Sequence, residues 1–237
     1  MVDLPDLVGH PAFPDTMERL VQSNGGTVLD AARAALERDE ATSFVVEGAR
    51  LLAALLPSSL RSADASDGAR AVFGPDDEIP WPSAAGWLEF RPKIAVVLRR
   101  PIDAEIEPEE VPEALFGYTL VADWFARSAN GDPIPTPSGV PVSIGPSLVT
   151  VDELDPQTAF VTVRVDGEEL VKGNLNGTAR SVLDDVARAS RRERLAAGEA
   201  FASGPFEIPG FEQRVWPGAE VELEAEGIGV LRNRLGR

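Results

Sequence analysis

Cysteine is absent from the 237 residues of this chain, histidine occurs once and lysine only twice. The absence of cysteine excludes a disulfide framework, thiol catalysis and Cys-ligated zinc. The single His10 lies in a proline-flanked loop and gives no support to a His-based metal site or a Ser-His-Asp triad. No G-x-G-x-x-G or Walker loop is found, which argues against a dinucleotide or P-loop enzyme.

Long apolar runs and positive charge are also scarce. No apolar stretch reaches the roughly 20 residues that span a bilayer, and the formal net charge is −17. Such a charge disfavours nucleic acid and anionic membranes as partners. Residues 1–15 lack the basic start and apolar core of a signal peptide. We therefore expect a cytoplasmic protein that binds neither nucleic acid nor membrane.

The first part of the chain has helical patterns. A short helix is predicted over Asp15–Gln22, and Thr27 is placed to cap a helix over residues 28–40. A third helical run is predicted over Phe44–Leu56, before Pro57. Residues 57–86 are rich in Ser, Asp, Gly and Pro and are predicted to be loop. The resulting division is a helical N-terminal region, 1–69, and a main domain, 70–237.

Strand patterns dominate the main domain. Gly117–Arg127 alternates apolar and polar residues, which predicts a half-buried strand that carries Asp123 at its end. An acidic residue on an apolar strand is costly to bury without a partner, so Asp123 marks either a site or an ion pair. Strands are also predicted over Ile94–Leu98 and Glu220–Ala225. A hairpin with Asp-Gly in its turn is predicted over Phe160–Val171, and one helix over Ala179–Leu195. The fold class is therefore α+β, mainly β, with one main helix.

Four segments in this order resemble motifs of the fumarylacetoacetate hydrolase superfamily. Gly117–Arg127 is similar to its G-Y-x-x-x-x-D-x-x-A-R motif, and the other three are similar to its opening strands, its L-G-P-x-x-V-T turn and its C-terminal P-G-D…G-I-G segment: residues 71–98, 144–150 and 217–234. The resemblance covers about residues 70–237. It implies a twisted mixed β-sheet roll, a homodimer, a bound Mg²⁺ or Mn²⁺, and chemistry on small oxo-acids.

The metal ligands that the resemblance implies are largely missing. The family's Glu-x-Glu pair falls on Arg91 and Lys93, so that only Asp123 of three carboxylates remains. The family's lysine falls on Thr136, its T-G-T-P loop on Ser203-Gly204-Pro205, and the acid of its A-R-D on Ser128. We therefore expect a divergent member with a degenerate metal site and no cofactor. Glu89 keeps an alternative open, in which Glu89 and Asp123 hold Mg²⁺.

Two interpretations of the charge reversal remain open. In one, Arg91, Lys93 and Asp123 are catalytic and hold a small oxo-carboxylate. Candidate substrate contacts are then Arg91, Tyr118, Trp124, Arg127 and Ser203. In the other, the cluster is a structural replacement for the metal.

Three functions follow from these interpretations. The first is metal-free isomerase, cyclase or lyase chemistry on the oxo-carboxylate, of the kind found in specialised metabolism. The second is a non-catalytic paralogue that acts as a partner or scaffold. The third is a Mg²⁺-dependent hydrolase of a dioxo-acid.

Overall fold

A computed structural model of the chain describes residues 1–23, 26–38, 41, 43, 46–62, 70–135, 140–156, 158–174, 176–206 and 214–237. The chain forms two compact units, Met1–Arg50 and Leu51–Arg237. The boundary predicted from the sequence lies later, between residues 69 and 70. Residues 63–69 lie outside the described part of the chain. Among the described residues, no helix is long and apolar enough to cross a membrane.

The first unit contains three helices, α1 (Leu4–Val8), α2 (Met17–Gln22) and α3 (Gly26–Leu36). Helix α2 is capped by Thr16, whose hydroxyl accepts a hydrogen bond from the backbone of Arg19. Helix α3 confirms the second predicted helix. Thr27 lies inside that helix rather than capping it, because the helix begins one residue earlier.

The predicted helix over Phe44–Leu56 is wrong for its described residues, 46–56, none of which is helical. Ala54 and Leu55 of this segment belong to the second unit instead. Leu55 is buried, and the backbone N–H of Ala54 donates to the carbonyl of Ile144. Contact with a strand 90 residues away thus overrides a local helical preference.

The second unit is mainly β, as predicted. Its elements, in chain order, are β1 (Leu60–Ser62), β2 (Arg70–Phe73), β3 (Glu78–Ile79), β4 (Trp87–Leu98), β5 (Leu115–Arg127), β6 (Val140–Thr150), β7 (Phe160–Val165), β8 (Glu168–Asn174), α4 (Asn176–Ser190), β9 (Ala200–Ala202), β10 (Arg214–Val215), β11 (Glu220–Ala225) and β12 (Gly229–Leu235).

The strands form two sheets of mixed direction. One has the order β1-β9-β4-β5-β6-β2, with β10 added beside β4, and the other has the order β3-β12-β11-β7-β8. Three pairs are parallel, namely β1 with β9, β2 with β6 and β3 with β12. The loop predicted over residues 57–86 is wrong at β1, β2 and β3. These strands are short and gain their order from partners distant in sequence.

Strands β4 and β5 form the long antiparallel centre of the first sheet. Their even-numbered side chains, from Leu88 to Val96 and from Tyr118 to Ala126, face the main core. Their odd-numbered side chains face the other side, where Ala95 and Val121 join a small apolar cluster and charged residues follow. The prediction of a half-buried β5 is wrong, since Leu115–Trp124 are all buried. Both faces of the strand are covered.

The predicted hairpin and main helix are confirmed. Asp166 and Gly167 connect β7 to β8 with φ values of 50° and 81°, the left-handed backbone that such a two-residue turn requires. Helix α4 packs Val186 and Ala187 into the core, together with Val182. The helix ends at Ser190, five residues before the predicted end.

Candidate active site

The central feature of the candidate site is a buried ion pair between Lys93 and Asp123. Strand register places Arg91 directly opposite Asp123 and Lys93 opposite Val121, so all three side chains lie on one face. The Lys93 Nζ atom is 2.6 Å from the Asp123 Oδ2 atom, and both side chains are 0% exposed. Lys93 Nζ also donates to Ser62 Oγ at 2.6 Å. The sequence predicts one cluster of Arg91, Lys93 and Asp123; the structure pairs Lys93 with Asp123 and places Arg91 opposite Asp123 on the neighbouring strand.

Arg91 and Arg127 form the neighbouring group on the same face, and both contact Glu89. Arg91 Nε is 2.5 Å from Glu89 Oε1, while Arg127 Nε and Nη2 are 2.9 and 2.6 Å from Glu89 Oε2. The Arg91 guanidinium also lies over the Phe125 ring, 4.5 Å from its centroid. Arg91 therefore contacts both Glu89 and Phe125.

The pKa of Glu89 reflects this environment. Burial by itself raises that pKa, but the hydrogen bonds and positive charges of Arg91 and Arg127 outweigh burial and hold the pKa below its ordinary value. Glu89 is therefore ionised and engaged by two guanidinium groups. This arrangement disfavours the alternative in which Glu89 is a metal ligand.

Tyr118 and Trp124 lie on the opposite face of the sheet from Asp123. Both belong to the main core. The Trp124 ring packs 5.0 Å from the Phe90 ring, and its Nε1–H donates to Ser143 Oγ at 3.0 Å. Burial, followed by the charge of Asp155, raises the pKa of Tyr118. The structure thus separates these two predicted substrate contacts from the charged cluster, because adjacent strand residues alternate between faces.

Ser203 lies beside the cluster but its hydroxyl serves the backbone. It donates to the carbonyl of Gly204 at 2.7 Å and accepts from the amide of Ile94 at 3.3 Å. Ser203 therefore ties the segment after β9 to β4, next to Lys93. Ser128 accepts backbone hydrogen bonds in an exposed turn, and Thr136 lies outside the described residues.

The described residues do not fit a divalent cation at this position. None of them forms a group of three or more His, Cys, Asp or Glu side chains that could hold a metal ion. Mg²⁺ and Mn²⁺ prefer several oxygen ligands, whereas in the described part of the chain the carboxylate paired with Lys93 is that of Asp123. The ammonium group of Lys93 supplies the positive charge that a metal would bring, and it would repel one.

A cavity of about 320 Å³ lies where β1, the outermost strand, meets β9 and the last turns of α4. We call it the arginine cavity, because three guanidinium groups line it: Arg61, Arg188 and Arg192. Ser62, whose hydroxyl accepts a hydrogen bond from Lys93, also lines it. Sequence reasoning missed this cavity. The one signal was the run of arginines at the end of α4, which suits the helix dipole equally well.

Comparison with known proteins identifies the family. A profile described as "Fumarylacetoacetate (FAA) hydrolase C-terminal" matches residues 65–236. The chain belongs to the fumarylacetoacetate hydrolase family. Within this family, it is 30% identical over 168 residues to an uncharacterised protein of Archaeoglobus fulgidus, covering 69% of this chain and 64% of that one.

Two other proteins to which the chain is similar have informative names. The chain is 26% identical over 165 residues to the oxaloacetate tautomerase YisK of Bacillus subtilis, covering 63% of this chain and 52% of that one. The chain thus spans 64% of the Archaeoglobus fulgidus relative and 52% of the Bacillus subtilis relative. A maleylpyruvate hydrolase of Sphingobium, solved with manganese and pyruvate, superimposes with a TM-score of 0.74 at 20% identity, covering 99% and 92% of the two chains. That similarity shows the fold.

Proposed function

We propose that this family member binds a small oxo-carboxylate and interconverts its keto and enol forms without a divalent cation at the Asp123 position. The observation that carries the proposal is the 2.6 Å contact between Lys93 Nζ and Asp123 Oδ2. It places a proton donor and a proton acceptor side by side where this family's cation is expected. The name of the Bacillus subtilis relative, an oxaloacetate tautomerase, agrees with this reaction class.

The ion pair has the two groups that enolisation requires. A base must remove the proton on the carbon next to the carbonyl, and an acid must protonate the carbonyl oxygen. In the proposed reaction Asp123 acts as the base and Lys93 as the acid, which leaves a neutral amine beside a protonated carboxyl after the step. Because the two groups are hydrogen-bonded to each other, the proton passes back from Asp123 to Lys93. The reaction consumes no water and no cofactor.

Ser62 is the point at which a substrate reaches the pair. Its hydroxyl accepts a hydrogen bond from Lys93, and the same residue lines the arginine cavity. A substrate carbonyl oxygen that replaces the Ser62 hydroxyl receives that hydrogen bond. Proton transfer by positioned groups contributes about 10²–10⁴-fold to a rate.

A second function, a non-catalytic paralogue, is favoured by one observation. Lys93 and Asp123 are each 0% exposed and are already paired. Buried pairs of this kind commonly serve structure alone. In this function the pair replaces the metal as a structural element, and the chain acts as a binding partner, including as a homodimer.

The decisive assay measures the conversion of enol to keto oxaloacetate by loss of ultraviolet absorbance, in EDTA. Wild type should accelerate the conversion, and Lys93→Met should lose about 10²-fold or more of that acceleration. Lys172→Met is the matched control, since Lys172 is the other lysine and is exposed on β8. No acceleration by wild type, with or without Mg²⁺, would favour the non-catalytic paralogue.

Folding of the variants needs its own control, because removing one partner of a buried pair costs about 3–5 kcal/mol. The double variant Lys93→Met/Asp123→Leu removes both charges and should melt closer to wild type than either single variant. A folded double variant that still accelerates the conversion as wild type does would refute the proposed acid and base.

A further inference from the structure

The arginine cavity combines the size and the charge of a small-anion site. Its volume of about 320 Å³ is at the lower end of the range for small-molecule pockets. Besides its three arginines, it is lined by two acidic residues, Asp185 and Glu193. Arg188 pairs with Asp185 at 2.5 Å. Arg192 is exposed and has no ion-pair partner among the described residues.

Arg61 is held between two carboxylates that differ in exposure. Its Nη2 atom is 2.8 Å from Oε2 of Glu199, whose side chain is only 10% exposed. Glu199 also accepts a hydrogen bond from the amide of Ala196, so it is fixed. The Nη1 atom of Arg61 is 2.6 Å from Oε1 of Glu193, whose side chain is 54% exposed. An exposed ion pair contributes little to stability, so Glu193 is readily replaced.

We propose that the arginine cavity binds a small carboxylate and that Glu193 occupies the same guanidinium group when the ligand is absent. A ligand carboxylate takes the place of Glu193 on Arg61 and gains Arg192 as a second guanidinium partner, while Glu199 keeps Arg61 in position. Guanidinium groups suit carboxylates because they bind both oxygens. The site is distinct from the Lys93–Asp123 pair, and the inference therefore goes beyond the proposed function.

The placement of the other groups supports this assignment. Arg61 also lies over the Phe201 ring, 5.4 Å from its centroid, which restricts the guanidinium to the cavity wall. Arg61 and Ser62 are consecutive on β1, so their side chains leave opposite faces of that edge strand. Arg61 shares the face of Phe201 in the main core, and a carboxylate bound at Arg61 therefore lies on the face of the sheet away from Lys93.

Calorimetry with malonate, an unreactive dicarboxylate, tests the cavity directly. Glu193→Gln should tighten malonate binding about threefold to tenfold, because it removes an exposed competing ion pair. Arg192→Gln should weaken binding by a similar factor. Asp184→Asn is the matched control: it makes the same charge change as Glu193→Gln, on the exposed face of α4 and outside the cavity, and should leave the affinity unchanged.

Three results would overturn the inference. The first is equal tightening by Glu193→Gln and Asp184→Asn, which would show a net-charge effect. The second is no malonate binding by wild type or by Glu193→Gln at millimolar concentrations. The third is inorganic phosphate binding as tightly as malonate, which would show a general anion pocket. If any of these results is found while Lys93→Met loses tautomerase activity, the inference about the arginine cavity is refuted and the proposed function stands. If wild type has no tautomerase activity but binds malonate more tightly after Glu193→Gln, the proposed function is refuted and the inference about the cavity stands.

Discussion

At the scale of single residues, the candidate site is built on a buried pair of opposite charges. Lys93 and Asp123 neutralise each other at 2.6 Å while fully buried. An isolated buried charge is costly, but a paired and hydrogen-bonded charge is tolerated. The hydrogen bond from Lys93 to Ser62 satisfies a further donor of the ammonium group. Two positively charged side chains thus stand where the family resemblance implies two carboxylates.

Glu89 gives a prediction about pH. Its folded-state pKa lies below the ordinary value of 4.5, so its ion pairs with Arg91 and Arg127 stabilise the fold above pH 4.5. This stabilisation is lost as the pH falls through the lowered pKa. The difference in free energy of unfolding between wild type and Glu89→Gln should therefore be constant near neutral pH and shrink in acid.

Urea unfolding from pH 7 to pH 3 measures that difference. Glu109→Gln is the control, since Glu109 is exposed and has no ion pair among the described residues. A difference for Glu89→Gln that grows in acid would contradict the account. It would mean that protonated Glu89 is the form that the fold prefers.

At the scale of elements, the pairing of β5 with β6 depends on a close backbone approach at Gly117. A Cβ atom at this position would lie 2.0 Å from the carbonyl oxygen of Val149, and backbone atoms cannot move aside without disturbing the pair. Gly117→Ala should therefore lower the free energy of unfolding by about 1–3 kcal/mol or more.

The contrast is Gly173→Ala on the edge strand β8, where a Cβ atom would meet nothing within 4 Å. This change should be nearly neutral. Chemical denaturation of both variants checks the prediction. Equal destabilisation would show that the cost is a general property of glycine in strands rather than the approach to Val149.

Much of the site could be predicted because strand periodicity is local. The motif located Arg91, Lys93 and Asp123, and the two-residue period of strands puts all three on one face. The same period could have excluded Tyr118 and Trp124 as candidate substrate contacts, because each is an odd number of positions from Asp123. The contact of Lys93 with Ser62 could not be predicted, because β1 gains its position by pairing with β9, about 140 residues away.

At the scale of the whole molecule, the chain has the family fold, and its central strands carry charged residues on one face and the main core on the other. The profile match over residues 65–236 and the superposition on the Sphingobium hydrolase show the fold. The main core lies on the even-numbered face of β4 and β5, and the charged cluster lies on the odd-numbered face. Changes of charge on the odd-numbered face therefore leave the main core untouched.

The most direct test of this account is the thermal melting of wild type in EDTA and in excess Mn²⁺. If the Lys93 ammonium stands in the place of the cation, the melting temperature should be the same in both. A cation bound at 100 times its dissociation constant would add about 2.7 kcal/mol of stability, or roughly 5 °C or more. Glu113→Gln, at an exposed residue outside the Lys93–Asp123 pair, is the control. A rise of that size that persists in Glu113→Gln and disappears in Asp123→Asn would contradict the account.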